Sequence, residues 1–152
     1  MIALFQPEIP QNTGTIIRTC ACFHIHVHLI EPLGFSMSDK YLKRSAMDYH
    51  ELAYVKRHPS WEDFVRSTES NRLVLVDVKG ESSYIDFAYR PHDLFIFGKE
   101  SSGIPKSIFD TIPNRISIPM QAGRSLNLAI SVAMIISQIQ KFKILPETIR
   151  NL

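Results

Sequence analysis

The strongest constraint on the fold lies near the end of the chain. Arg115-Ile116-Ser117-Ile118 stops at Pro119, a polar loop runs from Met120 through Gly123 to Arg124, and Ser125 and Asn127 open a long apolar segment, Leu126 to Ile139. A β-branched run, a glycine loop and a polar opening to an apolar segment read as strand, loop and helix N-terminus. Such a junction presents unpaired backbone N–H groups and a positive dipole end to a polar ligand. A second junction lies upstream. Asp93-Leu94-Phe95-Ile96-Phe97 reads as a buried strand, and Gly98-Lys99-Glu100-Ser101-Ser102-Gly103-Ile104-Pro105 as the loop before another helix. Two such loops, about twenty residues apart, predict one binding crevice at the carboxyl edge of a parallel sheet. Only 6 glycines occur; Gly98, Gly103 and Gly123 fall in these loops, and Gly14 in a third near the N-terminus. A turn accounts for any one of them. The set points to a site where backbone closely approaches a ligand.

The rest of the chain alternates in the same way. Ile2 to Phe5 reads as a strand, Pro7 to Gly14 as a loop, and Thr15 to Cys22 as a helix capped by Asn12 or Thr13. Phe23 to Ile30 alternates strictly and predicts a strand, followed by a turn at Glu31-Pro32-Leu33-Gly34. Ser38-Asp39 caps a helix to about Ala46, and Leu52 to Val55 is a short strand. Ser60 caps a further helix with Asp63 at the capping-box position; Leu73 to Val78 is a buried strand closed by Lys79-Gly80. Strands alternating with helices predict an α/β fold with a mostly parallel sheet and helices on both faces.

At 152 residues the chain is expected to form one domain, 1–152, with a full core. No apolar run reaches membrane length, and Met1-Ile2-Ala3-Leu4-Phe5 has no basic flank, so it reads as a strand, not a signal peptide. Cys20 and Cys22 are too close for a disulfide framework and read as reduced core thiols of a cytoplasmic protein. His24, His26 and His28 share one side of the predicted strand. They are either metal ligands or polar residues turned outward. Ligands along one strand are too far apart to share an ion unaided, so no metal is expected. Lys40, Lys43 and Arg44 fall at i, i+3 and i+4 and share a helix face, either solvated or contacting phosphates, with Tyr41 and Tyr49 close enough to stack bases. Lys56-Arg57-His58 adds a smaller basic cluster, but a net charge of +2 only permits nucleic-acid binding.

Three ordered segments carry a resemblance that covers nearly the whole chain. Pro7-Glu8-Ile9-Pro10-Gln11-Asn12-Thr13-Gly14 with Ile16-Ile17-Arg18, Phe97 to Pro105, and Ile116 to Leu128 resemble the three motifs of the SPOUT superfamily of RNA methyltransferases. His28 to Phe35 and Asp48-Tyr49-His50-Glu51 resemble its small tRNA wobble-position 2′-O-methyltransferases. The chain departs from the usual pattern at Lys99 (commonly proline), Ser102 (often arginine), Thr15 (asparagine) and Ala129 (serine), and the loop from Met120 to Arg124 is shorter.

The resemblance implies a C-terminal trefoil knot, S-adenosylmethionine as cofactor, and a homodimer acting on the anticodon stem-loop of tRNA, on the wobble cytidine or uridine of leucine tRNAs. It implies that Val76, Gly98, Gly103, Ile118, Met120, Ser125 and Leu126 hold the cofactor. Arg18, Asn12, Glu100 and Asn127 would form the catalytic set, with Glu100 orienting Arg18, Ser125 or Asn127, and Lys40, Lys43 and Arg44 would contact RNA. A guanidinium is hardly ever deprotonated, so Arg18 is read as gripping a phosphate and stabilising the forming alkoxide rather than as a base. A catalytically silent RNA-binding protein on the same fold would have lost Arg18, Glu100 and Asn127, all of which are present. A hydrolase of another α/β type would show a P-loop lysine or a metal-binding carboxylate pair, and neither is evident. A 2′-O-methyltransferase for another RNA position is the remaining alternative.

Overall fold

The computed structural model describes residues 1–46, 54–121 and 124–141. The elements are β1 (Ile2–Phe5), α1 (Pro10–Cys22), β2 (Val27–Ile30), α2 (Lys40–Ala46), β3 (Val55–His58), α3 (Trp61–Ser67), β4 (Arg72–Val76), β5 (Ser82–Ser83), β6 (Asp93–Phe97), α4 (Lys106–Phe109), β7 (Asn114–Ser117) and α5 (Leu128–Lys141). The seven strands form one sheet in the order β3-β2-β1-β6-β4-β7-β5. Every pairing between them is parallel. Leu4 and Val76 both register with Phe97, so β1, β6 and β4 end level with one another. The loops after these strands therefore open on the same edge.

Strand periodicity divides the core. Ile2 and Leu4 turn to the face covered by α1 and α5, with Ile16, Ile17, Cys20, Val132 and Ile135. Ala3 and Phe5 turn to the other, with Phe64 of α3, Leu75, Leu94 and Ile96. Helices thus lie on both faces, as the alternation of elements predicts. β1 and β6 have the predicted bounds. α3 carries the predicted cap: Ser60 Oγ accepts from Asp63 N–H at 3.1 Å and donates to the Asp63 carboxylate.

Several elements differ from expectation. α1 begins at Pro10, not Thr15, because proline at the first helical position has φ already set and lacks an N–H that would be unpaired there anyway. Asn12 and Thr13 lie buried inside the helix instead of capping it. Gly14 is helical, not in a loop. A Cβ there would lie 2.5 Å from Ser45 Cβ and 2.8 Å from the Leu42 carbonyl oxygen, so glycine lets α2 cross close over α1. β2 covers only Val27–Ile30, because the chain leaves α1 through His24 at φ 50° before extending. β3 lies later than the predicted Leu52 to Val55, and β5 was not anticipated. Cys20 is buried as expected, and burial pushes its thiol up to about 12, whereas Cys22 is exposed. Tyr49, Leu52, Gly123 and the segment 48–51 lie outside the described residues.

Candidate active site

A cleft of about 790 Å³ opens at the carboxyl edge, above the ends of β4, β6 and β7. Val76 closes β4, Phe97 closes β6, and Ile118 follows β7; their side chains join Leu126 and Leu128 in an apolar wall. Asn12, Asp77, Glu100, Ser125 and Asn127 supply polar groups. All seven residues expected at the cofactor, Val76, Gly98, Gly103, Ile118, Met120, Ser125 and Leu126, line this cleft.

The loop after β6 is shaped by its own backbone. Lys99 and Gly103 exchange N–H···O bonds of 3.0 and 2.9 Å. A Cβ on Gly98 would strike the backbone of Gly103 and lie 2.7 Å from Ile104 N. Gly98 is therefore required first for the loop to fold onto itself, not for ligand approach as the sequence implied. Gly103, at φ 68°, holds the left-handed conformation that favours glycine.

Three of the four expected catalytic residues form a hydrogen-bonded chain on the cleft wall. Asn127 Nδ2 donates to Asn12 Oδ1 at 2.9 Å, and Asn12 Nδ2 donates to Glu100 Oε1 at 3.3 Å. Asn127 Oδ1 also accepts from Ala129 N–H at 2.8 Å and so caps α5. The Glu100 carboxylate accepts from Glu8 N–H at 2.9 Å and Ile9 N–H at 3.3 Å, at the entrance to α1, which has no side-chain cap of its own. Its expected link to Asn127 runs through Asn12.

The remaining candidates lie elsewhere. Arg18 is exposed on α1, one turn beyond the Gly14 crossing, and does not line the cleft. Lys40, Lys43 and Arg44 are exposed on α2 and also lie outside the cleft, with Lys40 Nζ 5.0 Å from the Tyr41 ring centre. In the smaller basic cluster Arg57 pairs with Glu31, and His58 is buried.

His28 is not turned to solvent. It is buried, and its Nδ1 lies 2.9 Å from His58 Nε2, the rings stacked with centres 5.1 Å apart. His24 and His26 are exposed, and each meets Tyr54 edge-on. Among the described residues no group of three or more His, Cys, Asp or Glu is arranged to hold a metal ion. Sequence reasoning missed Ile9, Asp77 and Phe97 in the cleft lining. Asp77 had a signal, as the one charged residue in the apolar run from Leu73 to Val78.

A parallel sheet with an apolar, polar-tipped cleft at its carboxyl edge, walled by loops from adjacent strands, defines an α/β protein built to seat a nucleotide-like ligand. The family model described as the SpoU rRNA Methylase family matches residues 1–137, and the chain belongs to that family. It is similar to a tRNA (cytidine(34)-2'-O)-methyltransferase of Aeromonas hydrophila, 44% identical over 138 residues, covering 89% of this chain and 88% of the relative. The protein of the same description from Beijerinckia indica is 40% identical over 141 residues, covering 91% and 88%. A solved structure described as giving insights into the 2-OH methylation of C/U34 on tRNA superposes with a TM-score of 0.87 at 35% identity, covering 92% of this chain and 93% of that one. The SpoU methyltransferase AviRb of Streptomyces viridochromogenes, in complex with AdoMet, gives 0.80 at 25% identity, covering 94% of this chain and 60% of that one.

The protein is an RNA methyltransferase whose cofactor is S-adenosylmethionine. The cleft fits that cofactor by size and by the chemistry of its walls: an apolar slot for a flat base, with amides, hydroxyls and the Asp77 carboxylate for the polar ends.

Proposed function

We propose that the protein methylates the ribose 2′-hydroxyl of nucleotide 34, a cytidine or uridine, in the anticodon loop of tRNA, with leucine tRNAs as substrates. The observation that supports transfer at this cleft is the Asn127–Asn12–Glu100 chain along its wall. The relatives described as cytidine-34 methyltransferases match over about nine-tenths of the chain and support it.

When bound, S-adenosylmethionine supplies an electrophilic methyl group on a sulfonium. The chain's own residues do the rest. Val76, Ile118, Met120 and Leu126 clamp the base, while the backbone at Gly98 and Gly103 and the Ser125 hydroxyl hold the polar parts. Asn127 and Asn12, fixed by Glu100, orient groups at the mouth of the cleft. Arg18, exposed outside the cleft, grips the phosphate beside the target ribose of RNA lying across it, and its charge favours negative charge on the 2′-oxygen, while the proton leaves to a phosphate oxygen or water. Lys40, Lys43 and Arg44 contact the backbone of the stem-loop, whose unpaired bases can be splayed out.

The proposal includes one domain over 1–152, a C-terminal trefoil knot, a cytoplasmic protein and a homodimer. Ile130 on α5, outside the cleft, is 53% exposed, and a large apolar side chain left in solvent on this helix supports pairing with a second copy. No helix among the described residues is long and apolar enough to cross a membrane. The test is in vitro methylation of tRNA transcripts followed by nucleotide mapping by mass spectrometry. A 2′-O-methyl group at position 34 is expected. Methyl incorporation into a base, only into ribosomal RNA, or outside the anticodon loop overturns the assignment.

A further inference from the structure

We infer that Glu8 is a positioning residue for methyl transfer, locking the loop after β6 to the helix that carries Arg18. This rests on the proposed transfer reaction. Glu8 is not among the expected site residues, yet its carboxylate ties the first motif directly to the second. Glu8 Oε2 accepts from Ser101 N–H and Oε1 from Ser101 Oγ–H, both at 2.9 Å. Glu100, the neighbour of Ser101, returns the exchange by accepting the N–H groups of Glu8 and Ile9. Each loop thus offers a carboxylate to the other's backbone, across more than ninety residues of sequence.

The Ser101 bonds hold the Glu8 carboxyl below the usual carboxylate range, so the lock is charged at any pH near neutral. The segment carrying Glu8 has little freedom to compensate. Pro7 O accepts from Gly34 N–H at 2.9 Å, and a Cβ on Gly34 would lie 2.8 Å from Glu8 Cα, so the backbone of 7–8 is seated against the turn after β2.

The mechanical consequence follows from what each loop carries. Glu100, Ser101, Ser102 and Gly103 line the cleft. Glu8 leads directly into α1, which holds Asn12 on the cleft and Arg18 outside it. With Glu8 in place, the wall of the cofactor site and the arginine helix keep one relative position. Without it, Glu100 still binds the entrance of α1 and Lys99 still pairs with Gly103, but Ser101 between them loses its tie to the segment that leads into α1. Orientation errors of this kind reduce transfer more than they reduce binding.

The test compares Glu8→Ala, Glu8→Gln and Ser101→Ala in the full chain. In Glu8→Ala, amide hydrogen exchange at Ser101 rises at least tenfold, and kcat at saturating cofactor and RNA falls about tenfold. The cofactor dissociation constant changes less than threefold, and the thermal midpoint without ligand stays within a few degrees of wild type. Glu8→Gln recovers most of kcat, because its carbonyl oxygen accepts from Ser101 N–H and the Ser101 hydroxyl can turn to accept from its amide. Ser101→Ala, which keeps the N–H bond, falls between. Unchanged Ser101 exchange in Glu8→Ala overturns the lock, and raised exchange with wild-type kcat overturns its role in transfer. Equal defects in the alanine and glutamine variants overturn the hydrogen-bond basis. A wild-type chain that transfers no methyl group overturns the proposed function, and the positioning role with it; the exchange measurement then still scores the lock itself.

Discussion

Acid should destabilise this protein well above the pH at which its carboxylates protonate, through the buried His28–His58 pair. The contact requires one nitrogen to bear a hydrogen and the other a lone pair. Ser67 Oγ donates to the Phe64 carbonyl oxygen at 3.0 Å, so His58 Nδ1 carries a hydrogen toward Ser67, and His58 Nε2 accepts from His28 Nδ1–H. A proton added to His58 Nε2 destroys that arrangement. Burial, the facing His58, and the positive charges of Lys56 and the chain's amino group push His28 down to about 4.

Because the folded value lies below the unfolded one, near 6.5, the unfolded chain binds the proton first. The associated stability is complete above about pH 6.5 and is lost as pH falls toward 4. Between pH 7 and pH 5 the loss from His28 alone is about 2 kcal/mol. In a chain of this size that corresponds to roughly 4–8 °C in thermal midpoint. The buried amino group of Met1, pushed down to about 6, adds to the acid loss in the same direction, but it is common to all variants. Urea unfolding of wild type and His28→Leu at pH 7, 6 and 5 isolates the histidine, since only the difference in slope is read. Whatever its absolute stability, the leucine variant should lose about 2 kcal/mol less over that range. Equal slopes in the two proteins would refute the reasoning.

Four further outcomes are expected. Gly98→Val should abolish S-adenosylmethionine binding by calorimetry, because its side chain cannot fit against Gly103 and Ile104 N, 2.7 Å from the added Cβ. Arg18→Ala should leave cofactor affinity within about twofold, since Arg18 does not line the cleft, and remove methyl transfer; Arg18→Lys should also fail, because an ammonium lacks the two-pronged phosphate contact. Asn127→Ala should lower stability by about 1 kcal/mol through the lost α5 cap, and should also lower kcat by leaving Asn12 Oδ1 without its donor. Light scattering at micromolar concentration should give twice the 17.4 kDa chain mass, whereas Ile130→Lys should shift it toward monomer.

The parts legible in the sequence are those whose physics is local. β1 and β6 are apolar runs stopped by polar or glycine residues, and the α3 cap is written in Ser60 and Asp63, three residues apart. The two glycine loops located the crevice for the same reason, whereas the individual residues lining it came from the family resemblance. Local pattern misled where two structures share one signature. Pro10 reads as a loop breaker but starts a helix, and the alternation from Phe23 to Ile30 covers a helix exit as well as a strand. Gly14 looks like a turn until α2 is laid across it. The partners of Glu100 and His28 come from distant segments, 92 and 30 residues away, and no window of sequence contains them.

The strand order has a temporal side. β6 fills the space between β1 and β4, so the second strand to border β1 is made some ninety residues after it. Until that insertion is complete, the cleft has no wall, the entrance to α1 has no carboxylate, and Asn12 has no acceptor for its amide. Contacts this distant are slow to form. A chain interrupted before β6 therefore carries Ile9, Asn12, Val76 and Asp77 but neither of the two glycine loops that complete the cleft, and the ability to take up the cofactor appears only when nearly all of the sheet is in place. Binding is then a report on finished folding, and a growing or nicked chain stays silent toward the methyl donor.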